Sequence, residues 1–143
     1  MSEIALHPSD IQAIGKVRAL ESALLAQEDQ VEIPTNHVLH AGMYARTVRI
    51  PAGHAVTGAL IKVPTVLIVN GDVVLYTGDG TVHLTGYHVL PAAAGRKTAF
   101  AAIGDTDLTM LFPTQAATVD QAEREFTDEF DALLSRKEGQ CPE

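Results

Sequence analysis

The chain has no tryptophan and a single cysteine, Cys141. One thiol has no partner for an intramolecular bridge, so a disulfide-stapled scaffold is excluded and a reducing compartment is expected. Cys141, beside Pro142 and close to the last residue, is a poor candidate nucleophile, because chain ends seldom hold a thiol in a fixed, electropositive setting. Basic residues are few: ten Lys plus Arg against eighteen Asp plus Glu, a formal net charge of −8. Nucleic-acid binding requires clustered Lys and Arg to displace counterions, and docking on anionic lipid requires the same. Neither nucleic acid nor membrane is an expected partner. Long apolar runs are also missing. The longest, residues 60–69, is interrupted by Lys62, Pro64 and Thr65 and cannot span a bilayer. Met1-Ser2-Glu3 does not open a basic-then-apolar leader, so a cytoplasmic location is expected.

What is present reads as one compact domain over residues 1–143. The 46% hydrophobic content and mean hydropathy of +0.10 fit a folded core and not a disordered chain. Charged residues, at 20%, fall below the usual quarter; either a second subunit covers part of the surface or the surface is alanine-rich and mildly apolar. Residues 1–30 are predicted to hold a helix and its lead-in. Ser9-Asp10-Ile11-Gln12 matches a capping box, and Ile11, Ile14, Val17, Leu20 and Leu24 form a stripe at helical spacing. Residues 31–40, with Pro34, read as a connector. Residues 118–139 are predicted to form a second helix, capped by Thr118-Val119-Asp120-Gln121 and ended at Gly139, with Arg136 and Lys137 in its last turn.

Between the helices, residues 41–113 read as about eight short strands, the pattern of a barrel or sandwich. Tyr44, Val48 and Ile50 alternate with Thr47 and Arg49. Residues 60–63, 66–69, 73–76, 82–84, 87–90, 98–103 and 108–112 follow. Asn70-Gly71 and Asp79-Gly80 are hairpin signals, and residues 104–107 another turn.

Three motifs occur in order: Arg49-Ile50-Pro51-Ala52-Gly53, then Val69-Asn70-Gly71-Asp72-Val73, then Leu84-Thr85-Gly86-Tyr87-His88-Val89-Leu90-Pro91-Ala92. Together they resemble the small single-domain cupins over about half the chain, more weakly those of phage and prophage genomes. The resemblance implies a mainly β fold, an antiparallel jelly-roll barrel flanked by N- and C-terminal helices, and a homo-oligomer with a dimer favoured. In typical cupins His-x-His, a Glu and a later His converge on a divalent metal. Carried onto this chain, those positions fall near Thr57, Ala59, Pro64 and Arg96. Between Ala55 and Glu123 the only histidines are His83 and His88, and there is no glutamate. The usual metal site is therefore expected to be absent, and no cofactor is expected.

Arg96, standing where a metal ligand would, has the planar fork that suits a carboxylate or phosphate. The expected site is an anion pocket around Arg96, with Lys62 and with Tyr44 or His88 nearby; the alternative is that Arg96 and Lys97 are solvated turn residues. An alternative metal site is His37, His40 and His54, which requires a helical turn to bring the first two onto one face. No Gly-x-Ser-x-Gly elbow, P-loop or dinucleotide fingerprint is present. Three functions remain: a metal-free binding protein for a small anionic ligand, an enzyme with an unconventional site, or an assembly protein that uses the barrel as a scaffold.

Overall fold

The computed structural model describes residues 4–27, 33–77 and 80–133. Seven strands form one antiparallel sheet: β1 (Thr35–His40), β2 (Met43–Ile50), β3 (Ala55–Thr57), β4 (Thr65–Tyr76), β5 (Thr81–Ala92), β6 (Ala99–Ala102) and β7 (Thr106–Pro113). The order is β1-β2-β7-β4-β6-β3, with β5 on the far edge of β4. The sheet curls around an apolar core in which Tyr44, Phe112 and Phe126 pack ring on ring. Helix α1 (Ile11–Leu25) lies against β3, and α2 (Val119–Phe126) buries Ala122 and Phe126. No helix among the described residues is long and apolar enough to cross a membrane.

The mainly β fold with two flanking helices is as expected; several local readings are corrected. The cap of α1 is Asp10, whose carboxylate accepts from the Ala13 amide. Ser9 instead receives the Lys97 amide at 3.1 Å. The buried face of α1 centres on Ala13 and Val17, and Ile11 is 88% exposed. Residues 35–40 are a strand, not a connector. The turn that joins it to β2 is Ala41-Gly42, both at positive φ (54° and 72°). That conformation matches the right-handed twist of a two-residue hairpin. Residues 60–63 make only an isolated bridge, Ile61 to Arg96.

Asn70-Gly71 is no hairpin: β4 runs straight through it. One edge of β4 pairs β7 up to Asn70 and β6 from Val73 onward. At that junction the turn between β6 and β7 presses onto Gly71. A Cβ there would sit 2.5 Å from Thr106 Oγ1 and 2.6 Å from the Asp105 carbonyl. The glycine serves close backbone approach, not a turn. The β4–β5 hairpin follows Tyr76, paired with Thr81; Gly78 and Asp79 lie outside the described residues.

Helix α2 is shorter than expected. Thr118 caps it by accepting from the Gln121 amide, but it ends at Phe126. Thr127 turns extended, its buried hydroxyl donating to the Leu60 carbonyl at 2.7 Å. A single 3₁₀ turn, Phe130–Ala132, follows. Arg136, Lys137, Gly139 and Cys141 lie outside the described residues.

Candidate functional site

Inward-facing side chains of the curled sheet enclose a cavity of about 490 Å³. Arg46 and Val48 come from β2, Leu67 from β4, and Leu108 and Met110 from β7. Arg96 and Thr98, just before β6, and Phe100 within it face the same space. Leu24 of α1 and Phe126, Glu129 and Leu133 of the C-terminal segment cover it from outside.

Arg96 is 4% exposed. Its Nη1 donates to the Ala93 carbonyl at 2.8 Å and its Nη2 to Thr65 Oγ1 at 2.7 Å. Both partners are neutral. No carboxylate among the described residues pairs with this guanidinium, and burial lowers its pKa to about 10. Two of its five N–H groups are used, leaving others for a ligand. Thr98, 5% exposed, has a hydroxyl without a hydrogen-bond partner among the described residues.

The other buried cations are matched. Arg46 Nη1 meets Glu123 Oε2 at 3.1 Å, and its guanidinium stands over the Phe126 ring. Lys97, fully buried, donates Nζ to the Gly58 carbonyl, to Glu21 Oε2 at 3.2 Å and to Glu129 Oε1 at 3.0 Å. Glu129 also meets Arg18 Nη2 at 2.8 Å and accepts from the Leu60 amide. Burial pushes the Glu129 carboxyl up, but the Leu60 N–H, Lys97 and Arg18 together outweigh it and hold the carboxyl below its ordinary value. Lys97 thus fastens α1 and the C-terminal segment, the two covers of the cavity, to the barrel wall.

The residues expected at the site separate. Arg96 lines the cavity; Lys62, Tyr44 and His88 do not. Lys62 turns to the surface and pairs with Asp128 at 2.6 Å. Tyr44 is wholly buried in the aromatic core, its hydroxyl 2.8 Å from His37 Nδ1. His88 lies on β5, its Nε2 2.8 Å from the Thr85 carbonyl. The histidine set is not assembled either. Residues 37 and 40 lie on a strand, so His37 is half-buried and His40 faces the opposite, exposed side. Burial and the neighbouring Arg46 lower the His37 pKa, against a smaller opposing effect of Glu123. His54 stands apart at the cavity rim, Nδ1 3.1 Å from the Ala52 carbonyl. Among the described residues no group of three His, Cys, Asp or Glu is placed to hold a metal ion.

Thr65 and Thr98, which complete the surroundings of Arg96, were not singled out by the sequence. Thr98 has a signal only once a strand is assumed, being two residues from Arg96. Thr65 has none, since Arg96 is 31 residues away in the chain.

No family model matches the sequence, and no curated protein does. Solved structures do resemble the fold. The plu4264 protein of Photorhabdus luminescens is 9% identical, with a TM-score of 0.51, over 66% of this chain and 86% of its own. An uncharacterized conserved protein with a double-stranded β-helix domain, from Klebsiella pneumoniae, is 15% identical, with a TM-score of 0.50, over 64% and 81%. The chain has the cupin-type double-stranded β-helix fold. A cupin superfamily protein of Desulfitobacterium hafniense is 15% identical at a TM-score of 0.49, over 80% of this chain and all of its own. At such identities the likeness concerns fold alone.

The metal that cupins commonly hold does not fit the residues here. Thr57, Ala59 and Arg96 line the cavity, and Pro64 does not. They offer a hydroxyl, a methyl group and a fixed positive charge, no imidazole and no carboxylate. The Thr57 hydroxyl is already committed to Glu21 at 3.1 Å.

Proposed function

We propose that this protein binds a small anionic ligand inside its barrel, without a metal. One observation carries the reading: a guanidinium 4% exposed, lining a cavity, with only neutral hydrogen-bond partners among the described residues. Burying an unmatched cation is expensive, and a carboxylate or phosphate in the cavity would offset that cost. The Thr98 hydroxyl, without a partner among the described residues, lines the same cavity. The cavity volume falls in the range of about 300–1,000 Å³ common for small-molecule sites.

The test is a thermal-shift panel of carboxylates and phosphates on the wild type and Arg96→Gln. A ligand at a hundred times its Kd stabilises by about 2.7 kcal/mol, a rise of several degrees. At least one anion should give that rise in the wild type and lose most of it in Arg96→Gln. Equal shifts in both proteins, or none in the wild type, refute the reading.

We also propose that the chain self-associates through the outer face of its sheet. Val38, Ala45, Leu111, Val66 and Pro91 are consecutive cross-strand partners over β1, β2, β7, β4 and β5. Val38 and Val66 are exposed, and no charge interrupts the row. An uncharged row lets two copies, each carrying −8, meet there. Light scattering at micromolar concentration should give a dimer mass, reduced to a monomer by Val38→Lys with Val66→Lys. A monomeric wild type would exclude it.

A further inference from the structure

We infer that the ligand is a monoanion with an apolar body: a single carboxylate carrying a hydrocarbon chain or ring. This rests on the anion-binding reading and narrows it. The inference follows from the charges around the cavity. Among the described residues four carboxylate or guanidinium side chains line it: Arg46, Arg96, Glu21 and Glu129. Arg46 is matched by Glu123. Glu21 and Glu129 share Lys97, and Glu129 has Arg18 as well. Arg96 is left with the Ala93 carbonyl and the Thr65 hydroxyl. One cation without a counterion among the described residues calls for one negative charge. A second charge on the ligand would be desolvated with no matching cation, and Glu21 and Glu129 on the covering side would repel it.

Apart from the polar side chains of Gln27, His54, Thr57 and Thr98, the rest of the wall is apolar and decides the body. Ile61, Leu67, Phe100, Leu108 and Met110 offer only hydrocarbon, aromatic ring and thioether. Hydroxyl groups on a ligand, as in a sugar acid, would lose water against these side chains and gain no partner. Apolar atoms would gain about 25 cal/mol per Å² that they remove from water. The space of about 490 Å³ holds roughly fifteen non-hydrogen atoms at ~30 Å³ each. An eight-carbon carboxylate, in chain or phenyl form, fits with room to spare. Its carboxylate accepts from the free N–H groups of Arg96 and from the Thr98 hydroxyl, and its body lies along Leu67, Leu108 and Met110.

Titration calorimetry with octanoate, 1-octanol, succinate and inorganic phosphate tests this. Octanoate should bind at least tenfold more tightly than succinate, phosphate or 1-octanol. Arg96→Gln should lower octanoate affinity at least tenfold and leave 1-octanol unchanged. Thr98→Val, close to isosteric, should lower octanoate affinity several-fold and serves if Arg96→Gln does not fold. Succinate or phosphate binding as tightly as octanoate, in an Arg96-dependent way, overturns the monoanion inference and leaves the anion site standing. Octanoate binding that survives both substitutions overturns the two together. Failure of every probe to bind the wild type also overturns the inference.

Discussion

Lys97 Nζ lies 3.0 Å from Glu129 Oε1, joining a fully buried ammonium on the barrel wall to the segment that covers the cavity. Lys97 also holds Glu21 of α1. Removing one partner of a buried pair costs more than the pair is worth, because the remaining charge has no solvent. Lys97→Met should therefore be tolerated better than Glu129→Gln combined with Glu21→Gln, which strands the ammonium. We expect a loss of about 3 kcal/mol or more for that double variant, read from urea unfolding midpoints. In a double-mutant cycle the Lys97–Glu129 coupling should exceed about 0.5 kcal/mol.

Acid should weaken the protein in two stages. His37 has a folded pKa below its ordinary value, so it contributes nothing above about pH 6.5. Below that, the unfolded chain takes up a proton that the folded chain resists, and stability falls. Glu129 has a folded pKa below that of an ordinary carboxylate. Its contribution is complete above about pH 4.3 and is lost as pH falls through the folded value. Unfolding midpoints from pH 7 to 3 should show both declines. His37→Gln should flatten the first and leave the second; an unchanged first slope would exclude His37 as its source.

The two buried arginines should respond unequally to the same substitution. Each pH unit of lowering represents about 1.4 kcal/mol, so the charge on Arg96 costs the free protein roughly 3 kcal/mol. Arg96→Met removes that cost but leaves the Ala93 carbonyl and Thr65 hydroxyl without a donor, at about 1–3 kcal/mol. The two effects nearly cancel, and stability should stay within about 1 kcal/mol of wild type. Arg46→Met removes the ion-pair partner of the buried Glu123 carboxylate and should cost about 3–5 kcal/mol. Equal losses at the two positions, measured by denaturant unfolding, would refute the contrast.

Gly71→Ala places a methyl group within 2.6 Å of the Asp105 carbonyl and the Thr106 backbone. Backbone cannot swing aside as a flexible side chain does. A loss of about 2–3 kcal/mol is expected, at the upper end of overpacking costs. Gly86→Ala provides a comparison: it shares a positive φ (86°) but meets nothing within 4 Å. It should cost only about 1 kcal/mol.

How far the sequence disclosed this molecule depended on whether a residue's partners were near it in the chain. Alternation over residues 44–50 and the Thr118 cap are local properties, and both were readable. Arg96 stood out only through the resemblance, because an arginine after a turn looks the same whether solvated or buried. Lys62 was expected beside it, but residues 60–63 form no strand and Pro64 breaks any register count. Asn70-Gly71 misled because one dipeptide answers two demands, a tight turn and a close backbone approach, and only the partner of β4 distinguishes them. The strand at residues 35–40 was hidden by Pro34 and by the unusual Ala41-Gly42 turn. Lys97, Glu21 and Glu129 are 32 to 76 residues apart in their contacts, beyond the reach of any periodicity.

The placement of β7 between β2 and β4 bears on how the chain is made. While residues 106–113 are still inside the ribosome, two apolar strands that emerged earlier each present an open row of amides and carbonyls to solvent or to a chaperone. The last strand to appear is the one that joins them. Pauses in translation before that point should therefore lower soluble yield more than pauses after it.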